Sequence, residues 1–186
     1  MLRACMYRLL ARFLGSPPDR TALAVAGQLK GDPSELGRAL AAFARTARVT
    51  SASEACDEYD RLMIGLVRGE LVPYASFYLT GFLHERPLAA VRSDFAGLGI
   101  TRSAGWKDPE DHIASLCEAM AGLIDGSYGD GRIVTQQQFF DRHLAPWAPK
   151  FFADLERARA SRLYAPLGEV GRRFMDIEAT AFAMAA

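Results

Sequence analysis

The sequence predicts an all-α chain. Apolar residues recur at spacings of three and four from one end to the other, no stretch sustains strand-like alternation, and Gly/Pro clusters fall between the periodic runs. About eight to ten helices are expected, forming one globular domain over residues 1–186. A connector at 99–107 divides it into an N-terminal part, 1–98, and a C-terminal part, 108–186.

Leu2, Met6, Leu9 and Phe13 keep one face of a first helix, which Gly15-Ser-Pro-Pro18 stops. Helices are expected at about 19–30 and 33–47, separated by Gly31-Asp-Pro33. Ser53 is the expected cap of the next, whose face carries Cys56, Tyr59, Leu62 and Met63. Residues 65–73 read as a loop. Tyr74 to Leu83 is apolar nearly all round, the pattern of a buried central helix. Pro87 opens a helix bearing Leu88, Val91, Phe95 and Leu98. The connector follows, and Trp106 within it reads as a plug or as an anchor for a partner.

Asp108-Pro-Glu-Asp-His112 reads as a helix start. Asp108 has the chemistry of an N-cap, proline suits the first helical position, and Glu110 and Asp111 complement the helix dipole. Ile113, Leu116, Cys117, Met120 and Leu123 then hold one face. Asp125 to Gly131 is a loop, and helices at about 133–144, 147–160 and 163–184 complete the chain.

Nineteen arginines and three lysines balance twenty-two acids. The balance hides an acidic middle: residues 50–125 carry twelve acids and six bases. Such a middle around a polar-aromatic segment suits a basic, partly apolar ligand such as a cationic peptide. It argues against nucleic acid, as does the lack of a basic recognition helix. No apolar run reaches the roughly 18 residues of a membrane span, and the arginines among the first residues exclude a secretory leader. Cys5, Cys56 and Cys117 are too scattered for a disulfide framework and read as buried, reduced thiols of a cytoplasmic protein.

His84, His112 and His143 form no metal-ligand spacing, and the glycines at 126–131 lack the lysine of a phosphate loop. Ser76 and Cys117 lie in no nucleophile signature. Asp111-His112 is the most enzyme-like pair, because a carboxylate can orient an imidazole for general-base work. A small helical hydrolase or lyase is therefore the alternative reading. Against it, the pair reads as cap chemistry and Tyr74, Phe77 and Tyr78 as an ordinary core stripe.

Two stretches together resemble the TorD/DmsD/NarJ family of redox-enzyme maturation chaperones. One is Tyr59-Asp-Arg-Leu-Met63-Ile-Gly65 with Pro73-Tyr74-Ala-Ser76-Phe-Tyr78 and Gly81-Phe-Leu83. The other is Asp108-Pro109-Glu110-Asp111-His112-Ile113, similar to the family's Glu-Pro-x-Asp-His motif. A weaker echo is Gln138-Phe-Phe140, His143-Leu144, Pro146-Trp147 and Phe151. Asp108 stands in place of the usual Glu, and Met63 where Phe is common.

The resemblance implies an all-helical cytoplasmic chaperone with no catalytic residues, cofactor or metal. It would bind the twin-arginine leader or apoprotein of a molybdopterin oxidoreductase and hold it back until its cofactor is inserted. Implied leader-binding positions are Tyr74, Ser76, Tyr78, Pro109, Asp111 and His112. Glu110 joins them as an acid suited to a guanidinium. Some members bind guanine nucleotides or exchange helices into dimers, and the connector at 99–107 would permit a swap.

Overall fold

The computed structural model describes residues 2–65, 69–101, 105 and 107–185. Among the described residues ten α-helices follow one another: α1 (Leu2–Gly15), α2 (Arg20–Ala26), α3 (Glu35–Val49), α4 (Ala52–Tyr59), α5 (Ala75–Thr80), α6 (Arg86–Gly97), α7 (Ile113–Asp125), α8 (Ile133–His143), α9 (Ala148–Arg157) and α10 (Tyr164–Ala185). A single π-helical turn, Asp60–Ile64, prolongs α4. Among the described residues the one β-type pairing is an isolated antiparallel bridge between Tyr74 and His112. Trp106 lies outside the described residues, as do 102–104 of the connector.

The chain forms two compact units, each assembled from separated stretches. The first joins the residues up to Gly15 with Pro73–Ala148; the second joins Ser16–Val72 with the segment from Pro149 onward. Both α6 and α7, which the 99–107 connector links, belong to the first unit.

In the first unit α1 packs along α7. Tyr7, Leu10, Phe13 and Leu14 meet Ile113, Leu116, Met120 and Leu123 in the core, all essentially without solvent contact. Burial of such side chains contributes roughly 1.5–3 kcal/mol each, which is why the three-four spacing decides the fold. Phe95 of α6 stacks on Phe139 of α8 with ring centroids 6.1 Å apart. Gln136 of α8 is buried, donates to the Gly131 carbonyl at 3.0 Å and accepts from Arg3 at 3.0 Å.

In the second unit α10 packs on α3, with Phe43, Ala44, Leu167, Val170 and Phe174 buried. Close approach of α9 to α10 needs Gly168, since a Cβ there would lie 2.6 Å from the Glu156 amide nitrogen and 2.9 Å from the Phe152 carbonyl oxygen. Glu58 of α4 is buried and accepts the amides of Arg162, Leu163 and Tyr164 at 2.7, 3.1 and 2.9 Å. It thereby supplies acceptors to donors that the first turn of α10 leaves unpaired. Glu70 accepts the Arg159 and Ala160 amides, in the link between α9 and α10, at 2.7 and 3.1 Å.

Several local expectations are corrected. Ser51, not Ser53, caps α4: its hydroxyl accepts the Glu54 amide while the Glu54 carboxylate accepts the Ser51 amide, a reciprocal box. Tyr74–Leu83 is not a buried central helix, because α5 has six residues and ends at Gly81, whose φ of 84° suits glycine. Nor are all three thiols buried: Cys117 is, Cys56 is half-buried and Cys5 is exposed. The buried face of α1 is not the expected row of Leu2, Met6, Leu9 and Phe13: only Phe13 of these is buried. The face runs through Tyr7, Leu10 and Leu14, and that rotation turns Leu2 and Cys5 outward.

Candidate functional site

The site begins as a backbone join within the first unit. The Ile113 amide donates to the Pro73 carbonyl at 2.9 Å, and the Ala75 amide to the Asp111 carbonyl at 3.0 Å. These two bonds lay the start of α5 against the segment leading into α7. Prolines at 73 and 109 suit such extended and turning backbone.

The join also corrects the expected helix start. α7 begins at Ile113, and its N-cap is His112, whose Nδ1 accepts the Ala114 amide at 3.1 Å. Asp108 has cap chemistry but makes a tertiary bond instead, accepting the Tyr74 hydroxyl at 2.7 Å. Asp111 Oδ2 accepts the Ser76 amide at 2.8 Å, so this carboxylate serves the first turn of α5. The Tyr74 and His112 rings meet edge-on with centroids 5.0 Å apart.

The predicted residues therefore come together in two classes. Ser76, Asp111 and His112 are interior, with His112 2 % and Asp111 1 % exposed. Ser76 Oγ is buried without a hydrogen-bond partner among the described residues. Tyr74, Tyr78, Pro109 and Glu110 are half-buried and reach solvent. Tyr78 turns toward the end of α8, its ring 5.3 Å from that of Trp147, whose indole donates to the His143 carbonyl at 2.7 Å. Glu110 Oε2 accepts Arg92 Nε from α6 at 2.9 Å.

Burial sets the electrostatics. Loss of solvent pulls the His112 imidazole down to about 4, against the opposing pull of the Asp108 and Asp111 carboxylates. His112 is then neutral at physiological pH, with Nδ1 as acceptor. Burial also lowers His143, although Asp94 Oδ2 lies 2.6 Å from its Nε2. Cys117 is pushed far up by burial and is inert as a thiolate. Among the described residues no group of three or more His, Cys, Asp or Glu is placed to hold a metal ion. No helix among the described residues is long and apolar enough to cross a membrane.

One feature escaped the sequence reading. Leu79, Phe82 and Leu83 are exposed, Phe82 to 69 %, at the end of α5 and in the bend beyond it. His84 in that bend has a φ of 62°, the sole positive value outside glycine among the described residues. The missed signal was Gly81, which ends the helix before the apolar run ends.

The family model for the nitrate reductase delta subunit matches residues 29–153. The chaperone protein TorD of Vibrio atlanticus is 32 % identical over 89 residues, covering 43 % of this chain and 41 % of its own. That of Vibrio cholerae is 25 % identical over 137 residues, covering 69 % and 60 %. The chain thus spans about half the length of the curated relatives it matches. A crystal structure described as a redox enzyme maturation protein from Archaeoglobus fulgidus shares the fold. Its TM-score is 0.63 at 19 % identity, over 95 % of this chain and 94 % of that one.

Proposed function

The chain belongs to the nitrate reductase delta subunit family, and from that premise we propose that it is a maturation chaperone and not an enzyme. It binds the twin-arginine leader, the apoprotein, or both, of a molybdopterin oxidoreductase. By doing so it assists cofactor insertion and proofreads its client before export. It acts in the cytoplasm, without a cofactor of its own, as one chaperone domain over 1–186 and as a monomer or helix-swapped dimer.

The observation that carries this reading is the join of the two family-like stretches, 73–78 and 108–113, beside exposed Leu79, Phe82 and Leu83. The apolar part of a leader would cover that patch in the way an amphipathic helix covers a groove. Glu110, Tyr74, Pro109 and Tyr78 form the solvent-reaching edge, with Glu110 the acid for a guanidinium. Ser76, Asp111 and His112 hold that edge in place from beneath. Docking orders a flexible peptide, so binding is moderate and reversible, as release for export requires. The hydrolase or lyase alternative loses ground because the Asp111 carboxylate is engaged by the Ser76 amide and the His112 Nδ1 by the Ala114 amide.

Titration calorimetry with the leader peptide of a molybdoenzyme tests the proposal. Phe82→Ser with Leu83→Ser should weaken binding at least about tenfold, because each removes an apolar side chain worth roughly 1.5–3 kcal/mol on burial. Circular dichroism should be unchanged, since both residues are exposed. Undiminished affinity in the double variant would sink the assignment of this face.

A further inference from the structure

Building on the leader-binding reading, we propose that Arg92 and Arg142 are resident stand-ins for the arginines of the leader. Each occupies a carboxylate, Glu110 and Asp94 respectively, that an incoming guanidinium takes over on docking.

Both pairs radiate from α6. Arg92 Nε donates to Glu110 Oε2 at 2.9 Å, and Arg142 Nη1 reaches both oxygens of Asp94 at 2.9 Å. The partners are unequally exposed: Glu110 17 % against Arg92 54 %, and Asp94 27 % against Arg142 56 %. A shielded carboxylate needs a cationic or hydrogen-bonding partner, whereas a half-solvated arginine gains little by staying. Replacing one guanidinium by another preserves the interaction at the carboxylate and returns the resident to water. The exchange is close to neutral, so the apolar contacts of the leader decide it.

Asp94 has further features of a seat. It lines a cleft of about 670 Å³ between α6 and α8, with Leu98 and Phe139 also among its walls. An arginine stem has apolar surface to lie on there. Buried His143 keeps its contact with Asp94 at 2.6 Å, so the carboxylate keeps one partner while the guanidinium changes. A lysine presents a compact, strongly hydrated ammonium, which costs more to bring against a shielded carboxylate than the weakly hydrated guanidinium. The seats therefore select arginine, and the residents set the threshold that a leader must exceed.

The test uses the full chain and a synthetic peptide with an Arg-Arg pair before an apolar, helix-prone stretch, with its Lys-Lys counterpart as control. Arg92→Ala and Arg142→Ala should each tighten Arg-Arg binding by about two- to fivefold, the range of an exposed ion pair. Glu110→Gln and Asp94→Asn should weaken it by about tenfold and narrow the preference over Lys-Lys. Circular dichroism and urea midpoints establish that each variant is folded. Should Asp94→Asn unfold, Glu110→Gln and the two arginine variants still decide. Binding by the double arginine variant where wild type shows none would also support the proposal. Wild-type binding that neither arginine variant tightens overturns it and leaves the leader reading standing. Peptide binding by none of the proteins, the double variant included, overturns both.

Discussion

Asp111 Oδ2 accepts the backbone amide of Ser76 at 2.8 Å. The acid that most resembles a receiver for arginine is thereby a fastener between the segment before α7 and the first turn of α5. Its neighbour His112 has a matching role, capping α7 with Nδ1.

Removing the Asp111 charge should therefore be felt first as stability. Asp111→Ala leaves the buried Ser76 amide unpaired and should cost roughly 1–3 kcal/mol. The expected result is a lower urea midpoint at pH 7, with leader affinity falling in the variant as α5 loosens. A variant as stable as wild type would remove the fastener role.

Acid should destabilise the protein through His112, and the direction follows from proton counting. The unfolded imidazole takes its proton near 6.5, whereas the folded one resists until about 4. Between those values the unfolded state holds more protons, so stability present above pH 6.5 is lost as pH falls toward 4. Going from pH 7 to pH 5 should cost on the order of 2 kcal/mol from this group alone. His112→Asn keeps an acceptor at the N-cap and does not titrate. Its urea midpoint should fall less steeply over that range, and a slope equal to that of wild type would count against the assignment.

Glu58→Ala should be among the most damaging single changes outside the site. It strands three amides at the entry to α10 that the Glu58 carboxylate accepts. A loss of roughly 3 kcal/mol is expected from thermal or urea unfolding. Glu58→Gln retains one acceptor oxygen and should lose less.

Gly168→Ala should cost roughly 1–3 kcal/mol, because the added methyl meets backbone of α9 instead of a movable side chain. Gly97→Ala is the control, since a Cβ there has open space around it, and helix propensity should make it neutral or slightly stabilising.

Most helices were legible because burial follows periodicity. In α1 it does not follow the expected row: Leu2 is exposed, Met6 and Leu9 are half-buried, and Tyr7, Leu10 and Leu14 face the core instead. Leu88, Val91 and Phe95 of α6, or Leu167, Val170 and Phe174 of α10, point inward as their spacing requires. What local rules could not supply was competition from distant residues. Asp108-Pro109 has every attribute of a helix start, yet Tyr74 claims the carboxylate and His112 takes over as cap. Ser51 and Ser53 are equal candidates until the Glu54 carboxylate chooses between them. In the site, Tyr74, Ser76, Asp111 and His112 were expected together and do meet. Their division into a buried frame and a solvent-reaching edge depends on tertiary packing, which no spacing encodes. Glu58 left no trace at all, since its three partners lie more than a hundred positions away.

The alternation of the two units along the chain bears on how this protein is born. During synthesis α1 is made before the Ser16–Val72 stretch of the second unit, and the helix it packs on, α7, only after that stretch. The second unit waits in turn for α10 to complete α3. The apolar faces of α1 and α3 therefore stay bare until α7 and α10, made much later, arrive to cover them.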